Sequence, residues 1–161
     1  MKISEMFGVK KAVWSFEVFP PKPTAELGGI RKTLEELAEL RPDYVSVTCG
    51  AGGNGNRRTA EIAGMIGGEF GIEPLAHLTC INSSAEDVER SLAELKAAGI
   101  TNILTLRGDR VPGAEESGDF AHASDLAAFV MARGDFDLGG ACYPEGHPES
   151  ASPEEDVENL K

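Results

Sequence analysis

Six side chains stand where strand-like segments end: Glu17, Thr48, His77, Arg107, Asp109 and Tyr143. They include a carboxylate able to give or take a proton, an imidazole, a guanidinium suited to phosphate, and a second acid. Glu17 is the most unusual of them. In "WSFEVFPPK" (14–22) it lies among bulky apolar residues, and two prolines follow it. An ionised carboxylate in such company is costly unless it is paired or put to use. Each of these residues also has a plainer role: a strand-end acid, a structural ion pair, a core histidine. Their shared position is the stronger signal.

The elements that must position them follow from periodicity. Strand-like runs are "AVWSFEVF" (12–19), "DYVSVTC" (43–49), "EPLAHLTC" (73–80), "NILTLRGD" (102–109) and "DLGGACY" (137–143). Between them, Leu27, Ile30, Leu34 and Leu37, and then Ala85, Val88, Leu92 and Leu95, recur at helical spacing. Ser84 with Asp87 forms a capping box, and Gly99 ends that helix. Weaker helices cover 57–69 and the stretch near 124–133. Ser152, Pro153 and Glu155 open a last one. "GAGGNGN" (50–56) is a glycine-rich loop.

Strand and helix in alternation predict parallel βαβ units, in a doubly wound sheet or a (β/α)₈ barrel. No G-x-G-x-x-G follows the first run, which disfavours the dinucleotide-binding sheet. A full barrel typically takes about 250 residues. The 161 residues therefore predict one partial domain, 1–161, of the (β/α)₈ TIM-barrel type, supplying roughly the first five β/α units and stopping mid-barrel.

Side chains alternate across a strand. This puts Val13, Ser15 and Glu17 on one face and Trp14, Phe16 and Val18 on the other, beneath helices. It sets Ser46 and Thr48 against Val45, Val47 and Cys49, and Leu75, His77 and Thr79 against Ala76, Leu78 and Cys80. In the fourth run Ile103, Thr105, Arg107 and Asp109 oppose Leu104 and Leu106; in the fifth, Ala141 and Tyr143 oppose Cys142. The polar face gathers at the carboxyl ends, where barrels and open α/β sheets build sites. Cys49, Cys80 and Cys142 fall on the other face and read as small buried hydrophobes, with no metal expected. His122 and His147 lie too far apart in sequence to form a ligand pair.

Lys and Arg number 15 against 27 Asp and Glu, a formal net charge of −12. That excludes a duplex nucleic-acid binder and disfavours an anionic membrane surface. No signal peptide or spanning segment is present, and three scattered cysteines form no disulfide framework. A cytoplasmic protein is expected.

"FEVFPPK", "VSVTCGAGG", "HLTC", "NILTLRGD", "HASDL" and "ACYPEGHPE", in this order, closely resemble methylenetetrahydrofolate reductase of the bacterial type. The resemblance implies a barrel flavoenzyme in which FAD is reduced by NAD(P)H. The flavin then passes a hydride to 5,10-methylenetetrahydrofolate, giving 5-methyltetrahydrofolate for methionine synthesis. By motif, Glu17 resembles the general acid that opens the methylene bridge, its pKa raised by Phe16 and Phe19. Asp109 resembles an acid that tunes the flavin and holds the folate. Thr48, Cys49, Ala51, His77, Arg107 and Gly108 match flavin-contacting positions. So do Ala123, Tyr143, His147 and Ser150, while Asp156 and Asn159 match the ribityl or adenine side. Thr48 also matches a position that meets the nicotinamide. His122 stands where the family often has tyrosine, and the sixth strand, which carries a glutamine and aromatic residues in the family, is not in this sequence. Two other functions fit the same residues: a flavin- or folate-binding half-barrel that pairs with itself or another chain, and an aldolase-type barrel. No lysine ends a strand to form a Schiff base, which counts against the aldolase. A homo-oligomer is expected, since an unclosed parallel sheet exposes its edges.

Overall fold

Five short runs of β-branched and apolar residues, each followed by an amphipathic helix, build one parallel sheet in the order β1-β2-β3-β4-β5. The computed structural model describes residues 1–22, 24–49, 55–109 and 118–160. The strands are β1 (Ser15–Val18), β2 (Tyr44–Val47), β3 (Glu73–Thr79), β4 (Asn102–Leu106) and β5 (Asp137–Gly140). The helices are α1 (Ile3–Val9), α2 (Gly28–Glu39), α3 (Gly55–Phe70), α4 (Ala85–Ala97), α5 (Ala123–Met131) and α6 (Pro153–Asn159). Sequential parallel neighbours joined through helices are the local rule of a (β/α)₈ barrel, and β1 to β5 are five consecutive staves of one.

The core lies between the sheet and helices α2 to α5. Val18, Val45, Val47, Ala76, Leu78 and Ile103 from the strands meet Leu34, Ile62, Ile66, Val88, Leu92, Leu126 and Val130 from the helices. Full burial of an aliphatic side chain of this kind contributes about 1.5–3 kcal/mol. The caps follow their residues. Ser84 Oγ accepts from Asp87 N, and Asp87 in turn accepts from Ser84 N, the reciprocal box that starts α4. Asp87's carboxyl is held below its ordinary range, first by the Ser84 hydroxyl. Gly99 (φ 77) turns the chain after α4 in the left-handed region open to glycine. At α6, Ser152 Oγ accepts from Glu155 N, but the Glu155 carboxylate accepts from Ala151 N, so the two do not close a reciprocal capping box.

Helix α1 was not legible in the sequence. Seven residues carry too little periodicity, and polar contacts hold it instead. Ile3 N donates to Asn102 Oδ1 at 2.9 Å, Ser4 binds Asp137, and the N-terminal ammonium meets Glu73. Asn102, fully buried at the start of β4, also donates to Met1 O, Glu73 Oε1 and Pro74 O. Helix α1 thus packs against the amino ends of β3 to β5, opposite the end where the site residues gather.

Two expectations about faces are corrected. Trp14 precedes β1 and is 72% exposed rather than packed under helices, its backbone tied to Asp43. In β4 the faces are exchanged. Ala76 pairs with Ile103 and Leu78 with Thr105, so Ile103 and Thr105 lie under the helices. Leu104 and Leu106 share the other face with His77 and Thr79. The buried Thr105 hydroxyl is satisfied by donating to Gly139 O.

Candidate functional site

A cavity of about 1090 Å³ opens at the carboxyl ends of β2 to β5. Each strand brings its last residues to the wall: Thr48 and Cys49 after β2, His77 and Thr79 from β3, Arg107, Gly108 and Asp109 after β4. The stretch after β5 adds Tyr143, His147 and Ser150. The start of α5 adds Ala123, and α6 adds Asp156 and Asn159. Every described residue expected to touch a cofactor therefore lines the same cavity. Ala51 and the rest of its glycine loop to Asn54 lie outside the described residues. Glu17 is not a wall residue, but its Oε2 lies 3.3 Å from Nε2 of His77, which is.

Arg107 and Asp109 reach the rim by a route that alternation alone would not give. The strand ends at Leu106, and Gly108 then adopts φ +91, resetting the direction of the chain. Cys80 N and Ile81 N both donate to Arg107 O, pinning the turn. The Arg107 guanidinium is engaged by Glu149 in a two-point contact, Nη1 to Oε2 at 2.6 Å and Nη2 to Oε1 at 3.1 Å. Glu149 carried no signal in the sequence beyond its place in "YPEGHPE". Asp156 binds its own chain: its carboxylate accepts from His147 N and from the Ser150 hydroxyl, fixing the turn before α6. Tyr143 and His147 stack edge to face with ring centres 4.8 Å apart.

The setting of Glu17 differs from expectation. Its side chain is 48% exposed and Phe19 is 70% exposed, so the apolar enclosure foreseen around the acid is not formed by these residues. Its partners are polar. Ser46 Oγ donates to Oε2 at 3.3 Å, and the His77 imidazole faces the same oxygen. His77 is 8% exposed at its side chain, and its Nε2 makes no hydrogen bond despite the short approach to Glu17. Burial pushes the imidazole's pKa down, and the Glu17 charge opposes this in part. Burial thus favours the neutral imidazole.

The cysteines divide. Cys80 is fully buried, its thiol pushed up first by burial and then by Asp125. Cys49 is half-buried and accepts from Thr79 Oγ1 at 3.5 Å, while Cys142 is exposed. Both line the cavity, which corrects their expected place beneath the helices. Among the described residues no three His, Cys, Asp or Glu side chains converge as a metal cluster. No helix among them is long and apolar enough to cross a membrane.

The walls fit a large, anionic, ring-bearing cofactor. The volume lies at the upper end for small-molecule sites. Arg107 offers a planar fork for a phosphate oxygen pair. His77 Nε2 is a buried polar atom still without a hydrogen-bond partner. The opposing feature is charge. Asp109, Glu149, Glu155 and Asp156 also line the cavity, so a phosphate must compete with Glu149 for the guanidinium.

Comparison with known proteins agrees with this architecture. The family profile described as Methylenetetrahydrofolate reductase matches residues 2–161. The 5,10-methylenetetrahydrofolate reductase of Pectobacterium carotovorum subsp. carotovorum is 38% identical over 147 residues, covering 91% of this chain and 49% of that protein. The protein of the same name from Escherichia coli (strain K12) is 37% identical with the same coverage. This chain spans about half the length of these relatives. Among solved structures, the 4-hydroxy-tetrahydrodipicolinate synthase of Methylacidiphilum fumariolicum SolV superposes with a TM-score of 0.52 at 15% identity, covering 84% of this chain and 45% of that one. That likeness speaks to the barrel fold alone.

Proposed function

The chain belongs to the methylenetetrahydrofolate reductase family, and on that premise we propose that it carries the flavin-binding and proton-donating part of an enzyme reducing 5,10-methylenetetrahydrofolate to 5-methyltetrahydrofolate with NAD(P)H. The observation that carries this reading is the single cavity shared by residues from five separate motifs, with Glu17 one contact away. FAD, when bound, supplies the hydride chemistry, oxidising the nicotinamide and reducing the folate. Arg107 and the backbone of the 107–109 turn would hold its phosphates, releasing Glu149. His77 would offer Nε2 to a polar ring edge, with Thr48, Cys49, Ala123 and Tyr143 along the same wall. Asp156 would act chiefly through the 147–150 turn it anchors, with Asn159 beside it. Asp109 and Thr48 would meet the folate and the nicotinamide. Glu17, carrying its proton, would deliver it to the folate nitrogen whose bond to the bridging carbon breaks. The product would enter methionine synthesis. An acidic chain with free cysteines suits a cytoplasmic location.

A second reading has its own support. Strands β1 and β5 each pair with one neighbour, and the chain matches half of its relatives. On that reading the chain is a flavin- or folate-binding half-barrel that joins a second copy or another chain. A visible absorption spectrum separates the two. Yellow flavin bleached by NADH and restored by methylenetetrahydrofolate supports the enzyme. Bound flavin without turnover supports the half-barrel, and no flavin at any concentration refutes both. In an active protein, Glu17→Gln should spare flavin reduction by NADH and abolish folate reduction. Equal loss of both half-reactions contradicts the acid role.

A further inference from the structure

We infer that Ser46 is a positioning residue for Glu17, its hydroxyl holding the carboxylate over β2 and against the His77 imidazole at the cavity wall. The catalytic meaning rests on the acid role proposed above; the geometry stands without it.

The register places Glu17 opposite Ser46 and Ser46 opposite Leu75, so the three share a row on one face. His77 is the next residue of β3 on that face. Neighbouring strands lie about 4.8 Å apart, so a contact from β1 to β3 requires two long side chains meeting over a short one. Ser46, buried to 7% exposure, is that short one. It donates to Oε2, the same oxygen that faces His77. A half-exposed glutamate otherwise keeps rotamer freedom that ordering removes. The Ser46 hydroxyl selects the conformer that leans inward. The other side chains around the imidazole in these rows, Thr48, Leu75, Leu104 and Thr79, carry no charge.

His77 thus reports where the carboxylate sits, because Glu17 is the charged side chain that acts on it. The test is an NMR titration of the His77 ring in the 161-residue chain, read in the unchanged protein and five variants. Glu17→Gln should move the His77 midpoint down. Ser46→Ala should move it in the same direction, by less, as the carboxylate swings into water. Ser46→Thr should restore the original midpoint, and Ser46→Ala added to Glu17→Gln should change nothing further. Ser46→Cys keeps the volume and weakens the donor, so it gives the same downward shift if the alanine variant does not fold. An unshifted midpoint in the alanine and cysteine variants, or additive shifts in the double variant, overturns the inference. The acid role fails on different data, the folate half-reaction of Glu17→Gln. Either idea can therefore fall while the other stands.

Discussion

Alanine at position 108 would test the turn that brings Arg107 and Asp109 to the rim. Gly108 has φ +91, where an L side chain meets its own backbone, at a cost of about 1–2 kcal/mol. A Cβ there would also lie 2.7 Å from Ile81 Cγ2 and 3.4 Å from Thr79 Cβ. Ile81 cannot easily retreat. Its N–H donates to Arg107 O at 2.7 Å, and a β-branched side chain has little freedom at χ1. Overpacking of this kind costs about 1–3 kcal/mol. The sum, about 2–5 kcal/mol, is a large share of a typical domain's stability. With a urea m-value of about 2 kcal/mol/M, Gly108→Ala should lower the unfolding midpoint by roughly 1–2.5 M, read by circular dichroism. A double-mutant cycle separates the causes. Ile81→Ala removes the clashing methyl, so it should be less damaging in the Gly108→Ala background by about 1–3 kcal/mol, the contact part alone. A midpoint lowered by less than about 0.3 M, well under the 1 kcal/mol floor of the backbone cost, would refute the strain argument. An additive cycle would refute the contact.

Other perturbations address the rest of the frame. Because burial lowers the His77 pKa, the folded chain binds fewer protons than the unfolded chain as pH falls through the ordinary value of 6.5. Stability is then lost toward acid, and His77→Gln should flatten that slope in thermal melts taken on either side of this value. Asn102→Ala should leave the Ile3 N–H and the Pro74 carbonyl short of a buried partner, costing about 1–3 kcal/mol per group. Proteolysis near the N-terminus should quicken as α1 loosens. Ser84→Ala removes the hydroxyl's side of the α4 box while the backbone N–H of residue 84 can still donate to Asp87, and should cost about 1 kcal/mol in urea unfolding, with the site unchanged.

Alternation located β2 and β3 and their faces because each pairs small or β-branched residues with a polar row. Helix α4 was legible from its caps as well as its stripe. The faces of strand β4 were not, since hydrophobicity carries little facial information where both faces are covered, as in parallel barrels. Leu104 and Leu106 look like helix-facing residues and Thr105 like a site residue, yet the register with His77 and Thr79 settles the reverse. Extending the alternation to Asp109 placed Arg107 and Asp109 at the rim where they are found, but by the wrong route, because Gly108 interrupts it. Cys142 was misplaced for a related reason: β5 ends at Gly140, before the cysteine. Ser46 and Glu149 gave no sign of their partners, which are set by tertiary register and loop closure rather than by spacing.

The exposure of Glu17 follows from where β1 sits. An edge strand has one neighbour, and among the described residues the partners of this carboxylate come from the β2 and β3 side, Ser46 and His77. The opposite side of Glu17 faces the free edge. A general acid must keep its proton at neutral pH, and desolvation is the usual way to make a carboxyl do so. Here both contacts, with the Ser46 hydroxyl and the His77 imidazole, are polar. Neither contact supplies desolvation. On the proposed acid role, apolar cover would have to come from what lies against β1's outer edge or from the proposed cofactor and folate in the cavity. Within these five strands the position of Glu17 is set from one side, by Ser46 and His77.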